Sequence, residues 1–279
     1  MKLHRDWTAL TRRQLLLSGA AVLPWSRSLA QTPNCMLTPE QEEGPYYVEE
    51  AAVRQNITEQ KPGTPLQLRI VLLDAKRCAP LENAAVDIWH CDALGVYSGF
   101  TAMSPDGPPG GPGGPRGGFG PSGFEPRSLR PPGPPPRSRK LDASRYLRGV
   151  QFTDSRGAVE FATLYPGWYS GRAIHIHLKV HLGSRVLDGT TAGGHVSHTG
   201  QLFFPEEITA DVAKIEPYAT RLNVHRTLQT EDHVFTRQHG SESELNLVRL
   251  KKGSNEAGFV ASVALAIDPE VTPPPVSRR

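Results

Sequence analysis

The sequence predicts an all-β protein, built as an antiparallel sandwich or barrel with long irregular loops and little helix. Seven short segments rich in Val, Ile, Leu or Phe are each bounded by turn residues, a pattern typical of β-strands. No convincing helix separates consecutive strands, so the pattern of a doubly wound parallel sheet is missing. Turn motifs such as Asp-Ser-Arg-Gly at residues 154–157 fit the short connections of antiparallel strands.

The elements follow one another after an irregular segment, residues 37–48, which has little periodicity and is expected to lie across the core. One helix is predicted over residues 207–218, ended by Pro217 because proline cannot continue a helix. The predicted strands cover, in chain order, residues 66–74, 85–92, 147–154, 158–164, 172–182, 201–205 and 258–267.

The N-terminus predicts an export signal over residues 1–30. The paired arginines Arg12 and Arg13 precede a short apolar run, and Ser28-Leu29-Ala30 supplies a small-x-small cleavage site. The segment resembles a bacterial twin-arginine signal, which implies the twin-arginine export machinery as a partner and a periplasmic or secreted protein. That route carries folded proteins, which suits an enzyme that acquires its cofactor in the cytoplasm. The alternative is an ordinary N-terminal amphipathic helix.

Composition limits the remaining function classes. The chain has 279 residues with 31 Lys+Arg against 28 Asp+Glu, a net charge of +3 that does not favour nucleic-acid binding. No apolar run reaches the roughly 20 residues needed to span a bilayer. Much of the Pro and Gly lies in residues 105–139, predicted to be a disordered insert or, alternatively, a polyproline docking segment. We therefore predict one catalytic domain over residues 31–270, interrupted by this insert and followed by a disordered tail, 271–279.

Three cysteines remain after the predicted cleavage, which allows one disulfide in an oxidising compartment. Cys91 alternates with Trp89 along an apparently buried strand and resembles a small core residue. We therefore favour a disulfide between Cys35 and Cys78, although the sequence alone does not fix the pairing.

A His-x-His pair is the strongest chemical signal in the chain. Strand alternation places His175 and His177 on one face and Ile174, Ile176 and Leu178 on the other. Two imidazoles about 7 Å apart along one strand face can converge on a metal ion. Taken alone, the pair could equally belong to a polar sheet face.

Two neighbouring motifs make the signal more specific. The turn at residues 165–171 carries Tyr169 and is followed at once by Arg172. Earlier, the segment of residues 86–97 contains Asp87 and ends in Gly95-Val96-Tyr97.

Together these motifs resemble those of the intradiol ring-cleavage dioxygenases, non-haem ferric enzymes that open catechols between their two hydroxyl groups. That family carries an acidic residue flanked by apolar ones and followed by Gly-x-Tyr, and then a second tyrosine, an arginine and His-x-His. The resemblance covers roughly residues 35–204. It implies a β-sandwich core.

The resemblance also implies a role for six residues. Arg172 is expected to stabilise the substrate-derived anion, and Gln201 is expected to lie beside the metal site. Tyr169 is expected to give way to the substrate and act as a base. The four protein ligands of Fe(III) would be Tyr97, Tyr169, His175 and His177.

Ferric iron suits these residue types, because phenolate oxygens and imidazoles fit a hard cation better than thiolates do. The implied reaction consumes O2 and converts a catechol-type substrate into a muconate-type diacid. The segment between Tyr169 and His175 is shorter than in the protocatechuate and catechol enzymes, and no long helical region precedes the core, which predicts an open pocket. Catechol, protocatechuate, hydroxyquinol and lignin-derived compounds all remain candidate substrates. Both a monomer and an oligomer fit the sequence.

Several residues have more than one interpretation. Tyr46 and Tyr47 either line the catechol pocket or simply follow a turn at Gly44-Pro45. Arg172 could instead pair with Asp87 or Glu160 at the surface.

Two other functions are also compatible with the motifs. One is a cupin-like Fe(II) or Mn(II) oxygenase, which would need a carboxylate close to the histidine pair, where Lys179 stands instead. The other is a non-catalytic carbohydrate- or protein-binding sandwich, in which Tyr97, Trp168 and Tyr169 would form an aromatic platform.

Overall fold

Two main sheets and a small hairpin make up the computed structural model, which describes residues 35–49, 51–102, 140–221 and 224–276. Eleven strands form within these residues. They are β1 (Pro65–Asp74), β2 (Ala79–Pro80), β3 (Ala85–Trp89), β4 (Arg148–Phe152), β5 (Ala158–Leu164), β6 (His175–Leu182), β7 (Arg185–Leu187), β8 (Thr190–Ala192), β9 (His195–Phe203), β10 (Asn246–Lys251) and β11 (Ser254–Ile267).

The first sheet has the order β10-β11-β1-β2, and β5 also pairs with β1. Its pairs are antiparallel except β1 with β11, which run parallel from Leu66 opposite Phe259 to Asp74 opposite Ile267. A parallel pair needs a long crossover connection, and here all the strands of the second sheet lie between the two in sequence. The second sheet, β4-β3-β6-β9, is antiparallel throughout, and β7 and β8 form the separate hairpin.

The two sheets share one apolar core, which confirms the predicted all-β sandwich. Alternate residues of β1 and of β6 are fully buried there, as expected for side chains that face a sheet's inner side. Each such Leu or Ile side chain stabilises the fold by roughly 1.5–3 kcal/mol. The core residues of these two strands are Leu66, Leu68, Ile70, Leu72, Ile176, Leu178 and Val180.

The outer face of β6 is buried as well, because a segment we call the strap (residues 37–48) crosses it. The strap is tied to the first sheet by Thr38 N–H, which donates to Ala266 O at 2.8 Å, and to β9 by Gln41 N–H, which donates to Thr199 O at 2.9 Å. The irregular segment expected to lie across the core therefore covers the outer face of the second sheet.

Helix is scarce, as predicted. The described residues contain α1 (Glu206–Val212), α2 (His233–Arg237) and three short 3-10 turns. The helix predicted over residues 207–218 is shorter than expected: α1 ends at Val212, and residues 213–217 form turns. The chain resumes a helical turn only at Tyr218.

All seven predicted strands form; β5 has the predicted bounds, and the other six have shifted ends. β6 begins at His175 rather than at residue 172, and β9 begins at His195 rather than at residue 201. The early part of β9 was not predicted because it contains polar residues whose partners lie far away in the sequence. Ser197 Oγ donates to Asp268 O at 2.7 Å, and His198 Nδ1 lies 2.5 Å from Glu40 Oε1. The strands not predicted are the short β2 and the three exposed or half-buried strands β7, β8 and β10.

Three sequence predictions fall partly or wholly outside the described residues. The export signal (1–30) and the whole Pro/Gly insert (105–139) lie outside them, as do residues 277–279 of the predicted tail. Residues 271–276 have no regular secondary structure. Among the described residues, no helix is long and apolar enough to span a bilayer.

The preferred disulfide is present. Cys35 and Cys78 are bonded, with their Cα atoms 5.5 Å apart, and Cys91 is a buried free thiol. The bond joins Cys35, two residues before the strap, to the turn that follows β1.

Candidate active site

The two histidines lie at the start of β6, an interior strand of the second sheet. β6 pairs with β3 on one side and β9 on the other, so that His177 stands opposite both Trp89 and Gln201. The alternation is as predicted: Ile176 enters the core, while His175 and His177 share the outer face beneath the strap.

The two imidazoles converge on one point. The ring nitrogen Nδ1 of His175 lies 2.6 Å from Ala173 O, a contact that places the proton on Nδ1 and leaves Nε2 with a free lone pair. The Nε2 atoms of His175 and His177 are 3.0 Å apart. Two ligands about 2.1 Å from one metal ion and at right angles to each other are separated by about 3 Å. The pair therefore has the spacing of two adjacent ligands.

Both predicted tyrosines join the histidines. Tyr169 Oη is 3.3 Å from His175 Nε2. The ring of Tyr97 lies 5.8 Å from that of Tyr169 and 6.1 Å from that of His177. The Tyr97 hydroxyl is buried with no hydrogen-bond partner among the described residues. The structure thus brings together four side chains from three separate stretches of sequence.

Glycines allow the two tyrosine loops to touch. Gly95 has a φ of +80°, and a Cβ there would lie only 2.2 Å from Trp168 O. Gly167 is equally tight, since a Cβ would lie 2.3 Å from Ala93 O. Only glycine permits such close contact between backbones, so the Gly-x-Tyr and Pro-Gly-Trp-Tyr motifs fit together as one unit.

Arg172 is buried beside this cluster. Its Nε lies 3.0 Å from Asp232 Oδ2, and Glu42 Oε1 lies 3.8 Å from its Nη1. Pairing at the surface with Asp87 or Glu160 is wrong: Tyr47 Oη donates to Asp87 at 3.2 Å, and Glu160 pairs with Arg69 instead.

Gln201 links Arg172 to the strap. Its Oε1 accepts a hydrogen bond from Arg172 Nη2, while its Nε2 donates to Glu42 O at 2.7 Å. Its backbone N–H donates to Gln41 Oε1 at 2.6 Å. All six residues singled out from the sequence therefore lie in one connected site.

The chain has relatives among known proteins. A family model described as Dioxygenase matches residues 42–109. No curated protein matches. A solved intradiol ring-cleavage dioxygenase from Tetranychus urticae is 32% identical, with a TM-score of 0.64, and the match covers 84% of this chain and 96% of that one. The chain belongs to the intradiol ring-cleavage dioxygenase family.

Two further solved structures are similar to the present chain. The dioxygenase Tetur07g02040 is 32% identical, with a TM-score of 0.63 and coverage of 84% of this chain and 96% of that one. The dioxygenase domain of a dioxygenase carbohydrate-binding protein fusion from Streptomyces sp. SirexAA-E is 22% identical, with a TM-score of 0.48. The match covers 83% of this chain and 98% of that one.

The donor set of this intradiol dioxygenase fits a highly charged cation. Burial raises the pKa of Tyr97 well above its ordinary value, and the neighbouring Tyr169 raises it further. Burial also raises the pKa of Tyr169, although Arg172 opposes that effect. Two such phenols ionise readily only beside a strong positive charge, which a bound metal ion provides.

The histidines are suited to the same task. Burial, and then the charge of Arg172, lower the pKa of His175 to about 3. The pKa of His177 is also lowered well below its ordinary value by burial and by its histidine neighbour. Both imidazoles are therefore neutral near pH 7 and able to bind a metal. Among the described residues, no group of three or more His, Cys, Asp or Glu side chains is placed to hold a metal ion.

The strap supplies the aromatic wall of the site. Tyr46 stacks on Tyr97 with ring centroids 4.5 Å apart, and it also contacts Phe100. Tyr47 packs on Trp89, with ring centroids 4.8 Å apart. Both tyrosines thus belong to the cluster around the site and do more than follow a turn.

Four residues of the site were not identified from the sequence. Gly44 and Trp89 contact His177, while Glu42 and Asp232 hold Arg172. Asp232 did carry a signal, because an Asp just before a helical segment is a common N-cap. Its partner lies 60 residues away, which no local pattern reveals.

Proposed function

We propose that this protein is a non-haem Fe(III) dioxygenase that cleaves a catechol-type ring between its two hydroxyl-bearing carbons, using O2 to form a muconate-type diacid. The observation that carries the proposal is the convergence of two phenol groups and two neutral imidazoles in one buried cluster. Tyr97, Tyr169, His175 and His177 would hold the iron. The iron, when bound, would supply the Lewis acidity that ionises the catechol and prepares it for reaction with O2.

The two tyrosines are not equivalent, and this supports different roles. Tyr97 is only 3% exposed and is enclosed by Tyr46 and Phe100, so it is suited to remain a fixed ligand. Tyr169 is half-buried and lies in a loop, two residues before the exposed Gly171. We assign to Tyr169 Oη the role of base that accepts a proton from the incoming catechol.

Arg172 supplies a fixed positive charge at the site. Arg172 is 6% exposed, and its guanidinium donates hydrogen bonds to Asp232 and to Gln201. A charge oriented in advance in a site shielded from water stabilises developing negative charge without reorganisation. We assign this role to Arg172 toward the substrate-derived anion, with Gln201 fixing its orientation.

The proposed setting is the periplasm or the exterior of the cell, reached by twin-arginine export. The disulfide between Cys35 and Cys78 is compatible with an oxidising compartment. Export could be tested by fractionating cells that express the full chain and a variant with both Arg12 and Arg13 changed to Lys.

The function is tested by the iron content and visible spectrum of the purified mature protein, before and after anaerobic addition of catechol. We expect stoichiometric iron and a tyrosinate-to-Fe(III) charge-transfer band that shifts when catechol binds. A protein that stays colourless after reconstitution with iron would refute the proposal. That result would favour a non-catalytic binding module, which has no need of iron.

A further inference from the structure

Asp232 is a fully buried carboxylate that contacts two parts of the site at once. Its Oδ2 accepts hydrogen bonds from Arg172 Nε at 3.0 Å and from the backbone N–H of Ala173 at 2.7 Å. Its Oδ1 accepts from Val234 N–H at 2.7 Å and so caps α2. The same side chain therefore fixes a helix, a guanidinium and a peptide group.

The backbone of Ala173 links Asp232 to a proposed iron ligand. Ala173 N–H donates to Asp232, while Ala173 O accepts from Nδ1 of His175 at 2.6 Å. Groups that hydrogen-bond the second nitrogen of a metal-binding histidine set its ring orientation and tautomer. Asp232 thus helps to fix the ring orientation of His175 through the backbone of Ala173.

Asp232 also completes the fixation of Arg172. Gln201 accepts a hydrogen bond from the guanidinium at Nη2, and Asp232 accepts one at Nε. Glu42 is more distant, with 3.8 Å between its Oε1 and Arg172 Nη1. A buried guanidinium depends on such partners, because removing one leaves an uncompensated charge.

We propose that Asp232 is a positioning residue that sets Arg172 and His175 together, so that one carboxylate aligns the anion-stabilising charge with an iron ligand. The inference rests on the proposed function. It assigns to α2, and to the loop that precedes it, a direct part in organising the site.

Asp232→Asn and Asp232→Ser separate this role from helix capping. Asn and Ser cap helices about as well as Asp does, so α2 should remain formed in both variants. Neither side chain offers Arg172 a carboxylate. We expect iron content to be retained and kcat to fall by about 10- to 100-fold, with a smaller change in KM. Asp211→Asn, which removes an exposed carboxylate paired with Lys214, is the matched control and should behave as wild type.

A second measurement uses the iron-free protein. Thermal unfolding of Asp232→Asn, Arg172→Gln and the double variant forms a cycle, in which directly bonded side chains give non-additive effects. We expect the double variant to lose less Tm than the sum of the two single losses.

The outcomes distinguish the two proposals. Wild-type kcat in both Asp232 variants, or additive Tm losses in the cycle, would overturn the positioning role while leaving the dioxygenase intact. An iron-loaded wild type that fails to turn over any catechol would instead refute the proposed function.

Discussion

Gly44 packs directly against the ring of His177: a Cβ added to Gly44 would lie 2.9 Å from His177 Cε1. The backbone of Gly44 has a φ of +74°, a conformation that favours glycine. The strap therefore passes over the site at the one point where it carries no side chain. The imidazole beneath it also stacks on the parallel ring of Trp89, with ring centroids 4.9 Å apart.

Gly44→Ala should lower the iron content of the purified protein, because the new methyl group must displace either His177 or the strap. Gly253→Ala is the matched control: Gly253 has a φ of +77° but nothing within 4 Å of an added Cβ. Both variants carry the same backbone strain, of about 1–2 kcal/mol. Iron content by metal analysis should therefore fall in the Gly44 variant alone, and equal iron in the two would contradict the contact.

The ligand assignment predicts that His177→Ala abolishes iron binding and the visible band, because one of the two converging nitrogens is lost. His181→Ala is the control from the same strand and face; His181 is half-buried and lies outside the cluster. The measurement is iron per chain after reconstitution. An iron-replete, coloured His177→Ala protein would disprove the assignment.

Tyr97→Phe and Tyr169→Phe should have different effects on iron retention and turnover, since only Tyr169 lies half-exposed in a loop. We expect Tyr97→Phe to shift or remove the charge-transfer band and to lower iron retention. Tyr169→Phe should keep more of its iron and lose turnover, because the proton acceptor is gone while Tyr97 and both histidines remain. Stopped-flow spectra during anaerobic catechol binding would measure the difference. Identical behaviour of the two variants would contradict the separate roles.

The strand alternation of residues 174–178 correctly predicts which side chains of β6 enter the core and which form the site, because alternation is a local property of the chain. The burial of the outer face could not be predicted in this way. It depends on the strap, whose Glu42 backbone oxygen accepts a hydrogen bond from Gln201, 159 residues away. The contact between Asp232 and Arg172 and the parallel pairing of β1 with β11 could not be predicted from alternation either. Contacts at such separations leave no periodic trace in the sequence.

The insert should be dispensable for the fold. Residues on either side of it are already joined: Thr101 N–H donates to Asp142 Oδ2 at 2.9 Å, and Leu141 N–H donates to Gly99 O at 2.7 Å. A short Gly-Ser linker can therefore replace residues 105–136 without moving either end. We expect unchanged iron content and turnover, measured by metal analysis and O2 uptake. A large rise in KM with iron retained would show that the insert helps to form the substrate mouth.

His90 should make the protein less stable in mild acid. It is fully buried, with Nδ1 2.7 Å from Cys91 O and Nε2 2.7 Å from Thr163 Oγ1, and burial lowers its pKa to about 4. In the unfolded chain its pKa is about 6.5. Between these two values the unfolded chain binds a proton that the native protein does not, so the free energy of unfolding falls as the pH falls from 6.5 to 4. The difference of the two values corresponds to about 3 kcal/mol once the pH is below 4.

The measurement is the free energy of unfolding by denaturant at pH 7, 5.5 and 4, for wild type and His90→Asn, in which the amide can still donate to Cys91 O. A comparison with the variant is needed because Asp87 works in the opposite direction: burial raises its pKa to about 7, so its contribution favours the native state as the pH falls. Since Asp87 is common to both proteins, the difference between the two curves isolates His90. We expect wild type to lose more stability than the variant over this range. Parallel curves would mean that the pKa of His90 is the same in the native and the unfolded protein, and would contradict the predicted effect of burial.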